Sequence, residues 1–249
     1  MPRGTELRRQ VAARPLLPSA LRRPAAGLVT GCAAVTASLA LAFAGQARAD
    51  GLDAAVDAHV RGALGRYGAQ THLLAGLGGL GPVTVLTAAL VLACLATRRW
   101  RGAALAGLAV PAAVALTEYV LKPLVGRTIG GYPCFPSGHA TALFALAATC
   151  TVLLAGPARP RLPGVVRLLL VLGAALIAAA VATAMVALGY HYFTDTVAGT
   201  AVAIGMVLLT ALLIDRAAAA SRAVGRGDAG ALITVPTPPG VSTRSAGQN

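Results

Sequence analysis

Apolar residues run in blocks at about 26–44, 79–97, 102–121, 138–156, 167–188 and 196–214. Each is close to the roughly 20 residues a helix needs to cross a bilayer core. Polar residues are bunched between the blocks, at Arg98-Arg99-Trp100-Arg101, at 122–137, from Arg159 to Arg167 and at 189–195. The pattern predicts an all-α fold, a polytopic membrane bundle of six transmembrane helices. Residues 50–78 differ: Asp53, Asp57, His59, Arg61 and Arg66 are set among alanine and leucine, which predicts an amphipathic helix lying at the outer surface. The ends carry no apolar period. Residues 1–25 read as a basic disordered arm, 26–216 as one membrane domain, and 217–249, with its proline-rich Thr234 to Gly240, as a disordered tail.

Composition agrees with a chain whose solvent is lipid. Apolar residues make up 57% of the 249 and charged ones 12%, about half the charged share of a soluble domain. The net charge of +13 would suggest nucleic acid on a soluble protein, but aromatics at 4% are too few for a stacking surface, and the arginines flank the apolar blocks. Membrane lipids, not nucleic acid, are the expected partners. With six spans, sixteen of the 21 basic residues fall on the side of the N-terminal arm, which orients the bundle N-in and C-in in the cell membrane. Ala47-Arg48-Ala49 resembles a signal-peptidase site behind the first block; cleaved or not, the next residue emerges outside. The four cysteines form no C-x-x-C pair, so neither a disulfide framework nor a zinc site is expected.

Ionisable residues are costly in a bundle, so their clusters mark candidate sites. Two external segments stand out. One runs from Glu118 through the chain's single lysine, Lys122, and Arg127 to Pro136-Ser137-Gly138-His139; the other is Gly189-Tyr190-His191-Tyr192-Phe193-Thr194-Asp195. Two spans separate His139 from His191, so both return to the same face. Ser137 can cap the fourth span, whose free N–H groups favour an anion, and Gly138 leaves the backbone bare for its approach. Lys122 and Arg127 can donate to phosphate oxygens. His191 and Asp195 share a helix face at four residues' spacing, so the carboxylate can hold one imidazole nitrogen while the other attacks. His139 can then protonate a leaving oxygen. Glu118, four residues before Lys122, reads as a helix-end ion pair. The other reading of His139, His191 and Asp195, as metal ligands, has no second carboxylate or cysteine cluster beside it.

These residues resemble the type-2 phosphatidic acid phosphatase and haloperoxidase superfamily, whose signatures are K-x6-R-P, P-S-G-H and S-R-x5-H-x3-D. The second is complete at Pro136-Ser137-Gly138-His139, and His191 and Asp195 match the end of the third. The resemblance implies a phosphatase without metal or other cofactor. It makes His191 the nucleophile, Asp195 its orienting partner, His139 the general acid, and Lys122, Ser137 and Gly138 phosphate ligands. The expected substrate is a lipid phosphate or diphosphate, of the phosphatidate or undecaprenyl-diphosphate class, met at the external leaflet. Two signature arginines are replaced, by Ile129 in the first motif and Met185 in the third. Arg127, two positions ahead of Ile129, is the expected substitute phosphate donor. A family member that binds or transports anionic lipids without hydrolysing them is the alternative, and a vanadate-dependent oxidase of the soluble branch conflicts with the composition.

Overall fold

The computed structural model describes residues 15–156 and 162–231, with side chains described as far as 221. Among the described residues, five helical stretches are long and apolar enough to cross a membrane: Ser19–Phe43, Trp100–Val125, Gly138–Ala155, Gly164–Ala187 and Phe193–Ser221. A sixth candidate is the pair Gly51–Leu77 and Leu80–Ala96, bent by 47° at its break. In chain order the helices are α1 (Ser19–Phe43), α2 (Gly51–Leu64), α3 (Gly68–Leu77), α4 (Leu80–Ala96), α5 (Trp100–Ala115), α6 (Lys122–Val125), α7 (Gly138–Ala155), α8 (Gly164–Ala187) and α9 (Phe193–Ala231). A π-helical turn, Leu116–Leu121, joins α5 to α6. The fold is therefore the expected all-α membrane bundle. The described sheet is a two-stranded ribbon, β1 (Thr128–Ile129) with β2 (Tyr132–Pro133), turned by Gly130 and Gly131 at positive φ as a tight hairpin requires.

Small residues set the packing. Ala106, Ala109 and Ala113 of α5, Ala145 of α7 and Ala203, Val207 and Ala211 of α9 are wholly buried, so the backbones approach closely where hydrocarbon supplies no hydrophobic force. Gly199 of α9 is the tightest case: a Cβ there would lie 2.5 Å from the carbonyl oxygen of Ser137, against the chain that starts α7.

Three segments differ from the sequence expectation. The first helix begins at Ser19, inside the stretch read as a basic arm, because Leu16 and Leu17 are buried and donate their N–H groups to Asp215 at 2.8 and 3.0 Å. Arg22 and Arg101 flank the same carboxylate at 4.0 and 3.7 Å. Residues 1–14 of that arm lie outside the described residues. Helix α2 does not lie free at a surface, since Asp53 and Asp57 are buried against other elements. The tail continues as helix to Ala231, alanine-rich over its first turns; the proline-rich part falls outside the described residues. The chain divides after Asp215 into two compact units, the bundle and the segment from Arg216.

Candidate active site

The site grows from two chain reversals. Helix α6 ends at Gly126, whose φ of +65° is the left-handed cap that glycine adopts readily. The chain then runs through Arg127 and the β1–β2 hairpin to Ser137, where α7 starts. Ser137 is its N-cap, accepting from the Ala140 N–H at 3.4 Å. The second reversal follows α8: Gly189, at φ +72°, turns the chain toward His191 and the start of α9. Asp195 reaches back to accept the Tyr192 N–H at 2.9 Å, as the acid of a capping box does. Backbone bonds stitch the reversals together, the Ser137 N–H donating to the Asp195 carbonyl at 2.9 Å.

His191 is nearly buried, and its Nδ1 lies 2.7 Å from the carbonyl oxygen of Cys134. A carbonyl only accepts, so Nδ1 carries the proton and the lone pair of the neutral ring sits on Nε2. Asp195 Oδ2 lies 3.7 Å from the same Nδ1. The carboxylate predicted to hold this nitrogen is thus farther from it than the Cys134 carbonyl. A cavity of about 870 Å³ opens beside His191. Lys122, Gly138 and His139 line it, together with Glu118, Ile129 and the apolar Leu80, Val83, Val114 and Ala142. Lys122 Nζ donates to Glu118 Oε2 at 2.7 Å, the ion pair the spacing predicts. Gly78, at the break between α3 and α4, leaves room for His139: a Cβ there would lie 2.8 Å from the imidazole Cδ2.

Ser137, Asp195 and Arg127 stand behind this cavity and are wholly buried. Ser137 spends its hydroxyl on the helix cap. Arg127 corrects the sequence reading: its guanidinium is not offered to a phosphate. Its Nη1 donates to Asp195 Oδ1 at 2.6 Å and to Thr194 Oγ1 at 2.8 Å, and its Nη2 pairs with Asp53 Oδ2 at 2.5 Å. Its plane is held between the rings of Phe43 and Tyr192, 4.0 and 4.3 Å from their centroids. Burial opposes its charge, but Asp53 and Asp195 outweigh burial and hold its pKa above the ordinary value.

Helix α2 completes the arrangement, which the sequence reading missed. Asp53 also accepts from the Thr194 N–H at 2.9 Å and its hydroxyl at 2.8 Å, and Asp57 accepts from the Phe193 N–H at 3.1 Å. The two acids thus cap the free N–H groups that begin α9. The available signal was their four-residue spacing, which places both on one face of α2. Cys134 is wholly buried, and its thiol is pushed well above the usual range by burial and then by the neighbouring Asp195. It is inert as a nucleophile. Among the described residues no cluster of three or more His, Cys, Asp or Glu side chains could hold a metal ion.

The family profile described as PAP2 superfamily matches residues 115–218. Among solved structures the chain is similar to a transmembrane PAP2 type phosphatidylglycerolphosphate phosphatase from Bacillus subtilis. Identity is 19%, with a TM-score of 0.60 over 73% of this chain and 93% of that one. The likeness is one of fold. No curated protein matches the chain in sequence.

Proposed function

We propose that this membrane protein is a lipid phosphatase that removes phosphate from a lipid phosphate or diphosphate through a phosphohistidine intermediate, a reading that the PAP2 superfamily profile over residues 115–218 supports. The observation that carries the reading is the Cys134 carbonyl on His191 Nδ1, which leaves Nε2 as the nucleophilic nitrogen beside the cavity of Lys122 and His139. Nε2 attacks phosphorus as the bond to the leaving oxygen breaks, and His139 gives that oxygen its proton. Lys122 and the N–H groups opening α7 stabilise the charge on the transferring phosphoryl group, and Asp195 stabilises the cationic imidazole. Water then attacks the phosphohistidine, with His139 taking its proton, and frees His191. The excess of arginine on the N-terminal side supports a site facing the external leaflet. The apolar wall of Leu80, Val83, Val114 and Ala142 suits an acyl or prenyl chain.

The test is phosphate release by detergent-purified protein from phosphatidate and from undecaprenyl diphosphate, in EDTA, beside His191→Ala. Turnover that survives EDTA and disappears in the variant supports the assignment; turnover that persists in His191→Ala refutes the nucleophile.

A second reading, an anionic-lipid binder without turnover, is favoured by one observation. Ile129 lines the cavity, Met185 is packed in the core, and Arg127 is committed to two carboxylates, so neither missing arginine is replaced by it. Loss of one transition-state donor costs about 3–4 kcal/mol. Saturable phosphatidate binding without phosphate release would select this reading.

A further inference from the structure

The cavity already holds an anion of the protein's own. The π-helical turn Leu116–Leu121 closes on the Lys122 N–H, which donates to the Thr117 carbonyl. Such turns insert an extra residue and recur at functional positions. Here the turn brings Glu118 and Lys122 to the same cavity wall. One carboxylate oxygen of Glu118 accepts from Lys122 Nζ at 2.7 Å. The other stands over Gly138, where a Cβ would overlap it and would lie 4.0 Å from the same ammonium. The carboxylate therefore sits between the lysine and the first residue of α7, the two features that would hold a phosphate. Its side chain keeps 35% of its exposure and that of Lys122 17%, so neither is locked away. Among the described residues lining the cavity, Lys122 is the one lysine or arginine, and Glu118 is paired with it.

We propose that Glu118 is an internal competitor for the phosphate seat, so that an incoming phosphate group must displace its carboxylate from Lys122 and Gly138 before it binds. The proposal rests on the cavity being a phosphate site. A carboxylate in that seat repels a second anion and takes the lysine's charge from it. The penalty falls on every phosphate alike. A lipid offsets it by burying its chains on the apolar wall, whereas free phosphate has nothing to offset it with, and so leaves the site readily as product.

The experiment is titration calorimetry of the detergent-purified full chain with inorganic phosphate, comparing the unaltered protein, Glu118→Gln, Lys122→Met and the double variant. A second arm uses phosphatidate micelles in the His191→Ala background. Glu118→Gln is expected to tighten inorganic phosphate at least tenfold and phosphatidate by a similar factor, and the gain should vanish when Lys122→Met is also present. An unchanged or weaker affinity in Glu118→Gln overturns the proposal, as does a full gain that persists without Lys122, or no phosphate binding in either protein. A gain for phosphatidate alone overturns it too, because it would place the effect on the lipid and not on the phosphate. If Glu118→Gln does not fold, Glu118→Asp, which withdraws the carboxylate by one methylene, is expected to move affinity the same way. The readout is binding, so absent hydrolysis would count against the phosphatase reading and leave this one standing.

Discussion

Asp53 and Arg127, 74 residues apart in the chain, meet as an ion pair of 2.5 Å in which neither side chain is exposed. Removing one partner of a buried pair costs about 3–5 kcal/mol, because the other charge is left without compensation. Asp53→Ala is therefore expected to lower the thermal midpoint of the purified protein sharply. Arg127→Lys should not preserve stability, since an ammonium cannot fork to Asp53 and Asp195 at once or lie flat between Phe43 and Tyr192. Unfolding in detergent, followed by Trp100 fluorescence, reads both.

His191 owes its tautomer to the Cys134 carbonyl, which Asp195→Asn leaves in place. The variant is expected to lose the carboxylate's charge 3.7 Å from the ring and with it roughly ten- to hundredfold in turnover. His191→Ala should abolish turnover altogether. Phosphate release by the two variants under one set of conditions separates a supporting charge from the proposed nucleophile.

The Cys134 thiol should stay protonated through the physiological range and beyond it, since burial and Asp195 both push its pKa up. It is expected to resist N-ethylmaleimide in the folded protein at pH 7 and at pH 9, and to react on denaturation. The sign for stability follows. A thiol whose folded pKa lies above its unfolded one favours the fold fully below the unfolded pKa and loses that contribution as pH rises above about 8.5. Alkaline unfolding should be milder in Cys134→Ala, measured as the fall in thermal midpoint between pH 8 and pH 10.

The two positions where the resembled signatures carry arginine, Ile129 and Met185, are not equivalent sites for one. Ile129 lines the cavity, so Ile129→Arg offers a new donor to a phosphate and is expected to raise turnover by up to about two decades. Met185 is buried with Ala75 and Ala184, so Met185→Arg places a charge in an apolar cluster and should lower stability instead. Phosphate release and thermal midpoint together distinguish the outcomes.

At the other end of the bundle, Asp215 accepts from the buried N–H groups of Leu16 and Leu17. Asp215→Ala leaves those donors unsatisfied at about 1–3 kcal/mol each. The expected result is faster proteolytic removal of the first residues, visible by mass spectrometry after brief digestion.

What was legible in the sequence was local. Apolar blocks of bilayer length announce helices, and Pro136-Ser137-Gly138-His139 announces a helix start that bares its N–H groups. The four-residue interval from His191 to Asp195 was read correctly as proximity, but the shorter bond goes to a backbone carbonyl, which no side-chain pattern encodes. The spacing of Arg127 from Lys122 places it near the site without saying which way it turns. Its two carboxylates lie 74 and 68 residues away, and only the packing of α2 against the start of α9 brings them in. Asp53 was missed for the same reason: an acid on an amphipathic helix looks solvated until its partner is known.

The α2 contact also changes what can be moved as a unit. The matched family segment begins at residue 115, whereas Phe43 and Asp53, which enclose Arg127, precede it. A transplant of 115–218 into another scaffold would carry the guanidinium away from one of its two counter-ions and one of its two aromatic faces. The segment that the profile matches is thus smaller than the segment that can stand by itself, and a working chimera would have to inherit α2 and the end of α1 as well.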